Sequence, residues 1–158
     1  MLWGFEAQVA SLMAYGKLDK ASEILREKLQ KETSSNPRLL NLLGICEARL
    51  GHLQEAKDLF TKALSFSPDD PKHLNNMGNI ALLDDDPATA RDYYLRAIEK
   101  SMWLPEPRYN LAIAYQDMGQ FEKAMAAFDE FLLLKRMGIW FRVLFALGIL
   151  LVVYILFQ

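Results

Sequence analysis

Leu42-Leu43-Gly44-Ile45-Cys46-Glu47-Ala48-Arg49-Leu50-Gly51-His52-Leu53-Gln54-Glu55-Ala56, followed by Phe60, Ala63, Leu64 and Pro68, is the stretch whose reading decides the fold. Its register recurs 34 residues later and again after a further 34. Gly44 falls over Gly78 and Ala112, Ala56 over Ala90 and Ala124, Phe60 over Tyr94 and Phe128, and Ala63 over Ala97 and Phe131. A fixed period of this length signals a solenoid, in which one supersecondary unit cannot bury its apolar face alone and stacks on a neighbour.

The residue types at the repeated positions have a physical reason. Antiparallel helices approach closely only where side chains are small, which suits Gly44/Ala56, Gly78/Ala90 and Ala112/Ala124, while large aromatics fill the space between neighbouring hairpins. Helix starts are marked by a capping residue followed by proline at Asn36-Pro37, Asp70-Pro71 and Asp86-Pro87. The expected fold is all-α, with repeats at about 2–35, 37–70, 71–104 and 105–138 making a solenoid over 1–137. The first unit is the least regular, with Gln8 and Val9 where the others carry Leu or Met and then Gly or Ala, as befits a terminal repeat.

Residues 42 to 56 with Phe60, Ala63, Leu64 and Pro68 resemble the tetratricopeptide repeat family, and the resemblance covers nearly everything before residue 137. It implies a right-handed superhelix of about four helix-turn-helix units. It also implies a concave groove lined by the first helix of each hairpin, here Asn41, Ile45, Arg49, Asn75, Asn79, Leu82, Tyr109, Ile113 and Gln116, with Arg38 and Lys72 near its edge. Asn41, Asn75 and Asn79 offer donor and acceptor to an extended peptide backbone, or simply solvate an unused face. The carboxylate clamp of chaperone-binding members is incomplete: the matching positions read Asn75, Asn79 and Asn110, with Glu106 where a base is needed. Met102 replaces the usual closing proline of unit three. Phe131 replaces the alanine of unit four, which implies a neighbour able to accept a phenyl ring.

Composition changes abruptly near residue 137. All 20 acidic residues lie between Glu6 and Glu130, and of the 18 basic ones only Arg142 follows Arg136, although the mean hydropathy of +0.02 hides this. A mildly acidic, mixed-sign surface excludes a phosphate-binding face, so no nucleic-acid partner is expected. One cysteine, Cys46, rules out an intrachain disulfide and suits a reducing compartment. The opening Met1-Leu-Trp-Gly-Phe-Glu6 has no basic region and no long apolar run, so a secretory signal is not expected.

From Ile139 to Phe157 the chain holds one charge, Arg142. As a helix this stretch measures roughly 28 Å, close to the bilayer core of about 30 Å. The plainer alternative is a buried capping helix, but a cap needs a polar outer face and this stretch is apolar all round. The expectation is therefore a single transmembrane helix over 139–157. Lys135, Arg136, Trp140 and Arg142 form its membrane interface, with Arg142 either a snorkelling anchor or a contact to a partner carboxylate or lipid phosphate. The basic residues flank its N-terminal end, which places the repeats in the cytoplasm, with a bacterial inner membrane preferred. No proline separates the last repeat helix from this segment, so about 120–157 reads as one rod interrupted only by Gly138.

The chemistry of an enzyme is not legible. There is no phosphate-cradling glycine loop and no His-x-x-x-His pair, His52 and His73 stand alone in sequence, and Cys46 reads as a small core residue. Asp84-Asp85-Asp86 is the best candidate for a cation site, but a helix cap before Pro87 explains it better. No cofactor and no metal are expected. The reading is a non-catalytic protein-interaction scaffold: a membrane-anchored subunit or assembly factor of a larger complex, whose partners are integral membrane proteins met through anchor and groove. The alternative is a tail-anchored adaptor recruiting soluble partners to a membrane.

Overall fold

Short polar side chains start the helices at the proline positions. In the computed structural model, Asn36 Oδ1 accepts the N–H groups of Arg38 and Leu39 at 3.1 and 3.4 Å, and Asp70 Oδ1 accepts those of Lys72 and His73 at 2.8 and 3.3 Å. Asp86 Oδ1 accepts the N–H of Thr89 at 3.0 Å. Each satisfies donors that the first turn leaves orphaned, and proline at N1 costs no hydrogen bond there. The structure describes the backbone of residues 2–32 and 36–156 and the side chains of residues 4–32 and 36–149.

Among the described residues eight helices follow in order: α1 (Leu2–Ala14), α2 (Leu18–Lys31), α3 (Pro37–Leu50), α4 (Leu53–Phe66), α5 (Pro71–Leu83), α6 (Pro87–Lys100), α7 (Glu106–Asp117) and α8 (Phe121–Leu156). Among the described residues there is no strand. Successive helices pair as hairpins and each hairpin stacks on the next. The core runs along the stack in three clusters. Val9, Ala21, Leu25, Leu39 and Cys46 join the first two hairpins, Phe60, Met77 and Ile80 the second and third, and Tyr94, Leu111 and Ala114 the third and fourth.

The repeated aromatics do more than fill the space between hairpins. Phe60 also lies directly on Gly44 of its own hairpin: a methyl group there would stand 2.5 Å from its Cε1 and 2.8 Å from its Cδ1. Tyr94 lies on Gly78 in the same way, with Cδ1 2.7 Å from where a methyl would be. Glycine is therefore required at both positions because a buried ring occupies the Cβ volume.

The turn inside each hairpin needs a left-handed residue. Gly51 (φ 90°) and Gly119 (φ 72°) supply it at no steric cost, but between them in the repeat stands Asp85 (φ 59°). Aspartate tolerates this region better than most residues. The acidic run thus divides its labour. Asp84 pairs with Lys57 at 2.7 Å, Asp85 makes the turn, and Asp86 caps α6, with hydrogen bonds from Thr89 holding its carboxyl below the usual range.

α8 runs unbroken for 36 residues, through Gly138, so the last repeat helix and the apolar stretch that follows it are one helix.

Candidate functional site

The residues proposed to line a groove fall into separate hollows. Asn41 and Ile45 border a cleft of about 760 Å³ between α1, α3 and the start of α5, whose other walls include Glu6, Arg38, Lys72 and His73. Ile45, Arg49 and Asn79 border a smaller hollow of about 230 Å³ over Phe60. Tyr109, Ile113 and Gln116 line a third, of about 460 Å³, closed by Phe121, Met125 and Phe128 of α8. Leu82 is half-buried against the core cluster around Tyr94. Arg49 reaches back to the carbonyl of Met13 at 3.2 Å.

Asparagines join the first helices of successive hairpins. Asn76 Nδ2 donates to Asn41 Oδ1 at 2.8 Å, joining α3 to α5. Asn110 Nδ2 donates to Asn75 Oδ1 at 3.0 Å and to Asn79 Oδ1 at 2.9 Å, joining α5 to α7. Asn79 Oδ1 also accepts from the Tyr94 hydroxyl at 2.9 Å, and burial pushes that phenol's pKa up, so it remains a donor. Asn41 and Asn75 are buried, and their oxygens are engaged within the fold. Asn110→Ala removes two hydrogen bonds and leaves the buried Asn75 Oδ1 without its donor, while Asn79 Oδ1 keeps the Tyr94 hydroxyl, which costs about 1–3 kcal/mol. Urea denaturation of the full chain in detergent checks this, and an unchanged midpoint would show that the ladder is not structural.

His73 is almost fully buried in the wall of the large cleft, and its Nδ1 finds no hydrogen-bond partner among the described residues. Burial lowers its pKa, so the ring is neutral near pH 7. Arg38 at the mouth is paired with Glu6 at 3.1 Å.

His52, isolated in sequence, is not isolated in space. Its Nδ1 lies 2.7 Å from Glu47 Oε2, and Glu47, His52 and Glu55 offer ligand atoms close enough to hold a metal ion. That position is already served by a cation of the chain itself. The Arg26 guanidinium bridges Glu47 Oε1 at 2.9 Å and Glu55 at 2.6 Å, and Ser22 Oγ donates to the same Glu47 oxygen. Burial pushes the Glu47 carboxyl up, but the hydrogen bonds from Ser22, His52 and Arg26 outweigh it and hold it below the ordinary carboxylate range. Cys46 is buried in the core, and burial pushes its thiol up, away from nucleophilic use.

At the far end of the stack, Phe121, Met125 and Phe128 expose an apolar face that no further hairpin covers, since the corresponding faces around Phe60 and Tyr94 are each covered by the next helix. Phe131, the residue in place of alanine, packs on Tyr109 with ring centres 5.3 Å apart, and Phe128 joins the same group. Beyond it Lys135, Arg136, Trp140 and Arg142 are all exposed on α8. Among the described residues no helix is long and apolar enough to cross a membrane. The described side chains stop at Ile149, so the rest of the expected 139–157 span lies outside them. Ile139 to Ile149 alone covers only about 16 Å as a helix.

Tetratricopeptide repeat profiles match residues 37–70, 59–92 and 105–136. The second match starts on α4, out of phase with the first, as a continuous repeat allows. A 79-residue segment, half of the chain, is 32% identical to the protein O-mannosyl-transferase TMTC3 of Mus musculus, and it spans only 9% of that protein's length. Among solved structures, the chain is similar to a Cut9 and Hcn1 hetero-tetramer of the APC/C (TM-score 0.73, 22% identity, 80% of this chain and 25% of that one). It is also similar to MamA (TM-score 0.67, 21% identity, 81% of this chain and 74% of that one). These likenesses establish the fold. The 34-residue period, the stacked hairpins and the matched profiles agree, and the chain belongs to the tetratricopeptide repeat family.

Proposed function

We propose that this protein is a membrane-anchored interaction scaffold, a subunit or assembly factor of a larger membrane complex, with its repeats on the cytoplasmic side, most naturally of a bacterial inner membrane. The tetratricopeptide scaffold is in general a non-catalytic protein-interaction fold. The small share of the mannosyltransferase that matches supplies no reason to transfer its activity.

The observation that carries the reading is α8. From Met137 to Ile149 every side chain on it is exposed, and Ile139, Trp140, Phe141, Leu144 and Phe145 are each 60% exposed or more. Soluble monomers rarely leave an apolar helix bare on all sides, which supports cover by lipid or another membrane helix. The helix is also continuous with the packed repeat, which favours a subunit held at a fixed angle over an adaptor swinging on a flexible tether. Lys135, Arg136 and Arg142 at the start of the apolar stretch support the cytoplasmic placement, and the uncovered face of Phe121, Met125 and Phe128 supplies a place for a partner.

Exchanging residues 139–157 for an unrelated transmembrane helix separates the two readings. A subunit loses its stoichiometric integral-membrane partners on purification in mild detergent. An adaptor keeps its soluble ones, and that result would replace the reading proposed here.

A further inference from the structure

The tight turn between α6 and α7 carries two large apolar side chains at its tip. Leu104 N–H donates to Ser101 O at 3.3 Å, and between them Met102 and Trp103 are 60% and 67% exposed. A loop normally shows water polar residues, whereas most of the surface of these two is left uncovered.

Their height along α8 gives them a purpose. Arg108, buried at the start of α7, donates to the Leu104 carbonyl at 3.4 Å and to Glu130 of α8 at 2.9 Å, so one guanidinium ties the turn to α8. The two helices form an antiparallel hairpin, so moving back from Arg108 to the turn and forward from Glu130 along α8 leads the same way. Trp103 therefore stands near the level of Lys135 and Arg136. That is about one turn short of Ile139, where the apolar stretch begins, or on the order of 5–6 Å. The headgroup layer on each side of a bilayer is about 5–7 Å thick.

We infer that the α6–α7 turn is a second membrane contact, with Trp103 and Met102 seated among the lipid headgroups beside the helix that anchors the chain. This rests on the anchor reading above. Tryptophan favours that layer because its ring is apolar and its indole N–H is polar. A protein partner fits less well, since two side chains on a turn fall far short of the roughly 1,000 Å² that a stable interface needs. Lys100, beside the turn, is paired with Asp69 at 2.9 Å, and the exposed carboxylates of Glu99 and Glu106 flank it, so the contact suits a zwitterionic surface and not an anionic one. Two contacts fix the tilt of the repeats and aim the Phe121–Phe128 face along the membrane plane, where another membrane protein can meet it.

The test uses two single-tryptophan forms of the full chain in phosphatidylcholine vesicles whose lipids carry bromine near the top of the acyl chains. Trp3→Phe with Trp140→Phe leaves Trp103, and Trp3→Phe with Trp103→Phe leaves Trp140. Both emissions should fall by about half or more against unbrominated vesicles, as for indoles at the interface. Quenching of Trp140 alone, with Trp103 open to aqueous iodide, overturns the inference and leaves the anchor standing, freeing the turn for a protein partner. Quenching of neither overturns the anchor as well.

Discussion

Gly78→Ala lowers stability by about 2 kcal/mol, although replacing glycine by alanine inside a helix ordinarily gains about 1 kcal/mol. The reversal of sign comes from one ring. The new methyl would overlap Tyr94, which is fully buried between Gly78 beneath it and Leu111 and Ala114 of the following hairpin. Its hydroxyl is also held by Asn79. The ring cannot swing aside without breaking that bond or pushing α7 away, and overpacking of this kind costs about 1–3 kcal/mol or more.

Denaturation midpoints of the full chain in detergent give the answer, and a neutral or stabilising Gly78→Ala would show that the helices can part at no cost. The control lies in the partner. Tyr94→Leu empties the overlapped volume, so Gly78→Ala in that background should become neutral or slightly stabilising, a coupling of about 2 kcal/mol. Gly44 and Phe60 should repeat the pattern. Gly138→Ala should cost nothing, since a methyl there meets no atom within 4 Å. Because Asn79 bonds both Tyr94 and Asn110, loosening the ring also loosens the ladder between the first helices, which links core packing to the shape of the exposed hollows.

The period of 34 makes the hairpins legible, because the same contact recurs and selects the same residue types each time. Gly44 and Gly78 are readable for that reason, and so are the caps at Asn36, Asp70 and Asp86. The asparagines show where spacing alone is ambiguous. Asn41 to Asn76 and Asn75 to Asn110 are each 35 residues apart, and recurrence at that interval is equally the mark of a bond between neighbouring units and of a row of ligand-binding groups. Only the direction of the side chains distinguishes them. Glu47 was illegible for another reason. A single glutamate on a helix reads as a solvated residue, and its partners Ser22 and Arg26 belong to the least regular unit, where no repeat predicts them. Phe131 was the informative departure, since its phenyl group found Tyr109 and not a small neighbour.

Arg26→Ala costs about 2 kcal/mol at pH 7 and weakens the loss of stability in acid. Glu47 is about 2% exposed, and breaking a buried pair costs about 3–5 kcal/mol; Arg26 is 43% exposed, so solvent screening reduces the figure. In the native chain the folded carboxyl sits below its ordinary range, so its contribution is fully present above the unfolded pKa of about 4.3 and is lost as pH falls through the folded value. Between pH 7 and 5 this group therefore contributes no slope. Without Arg26, only Ser22 and His52 oppose burial, so the folded pKa moves up toward the unfolded one. The variant's carboxyl then has less stability to lose, so below about pH 4.3 its stability falls less steeply with acid than the native chain's. Urea midpoints of both proteins across that range decide the matter. Parallel pH profiles would mean that Ser22 and His52 alone hold Glu47 ionised, and that Arg26 serves the surface rather than the buried carboxylate that ties the first hairpin to the second.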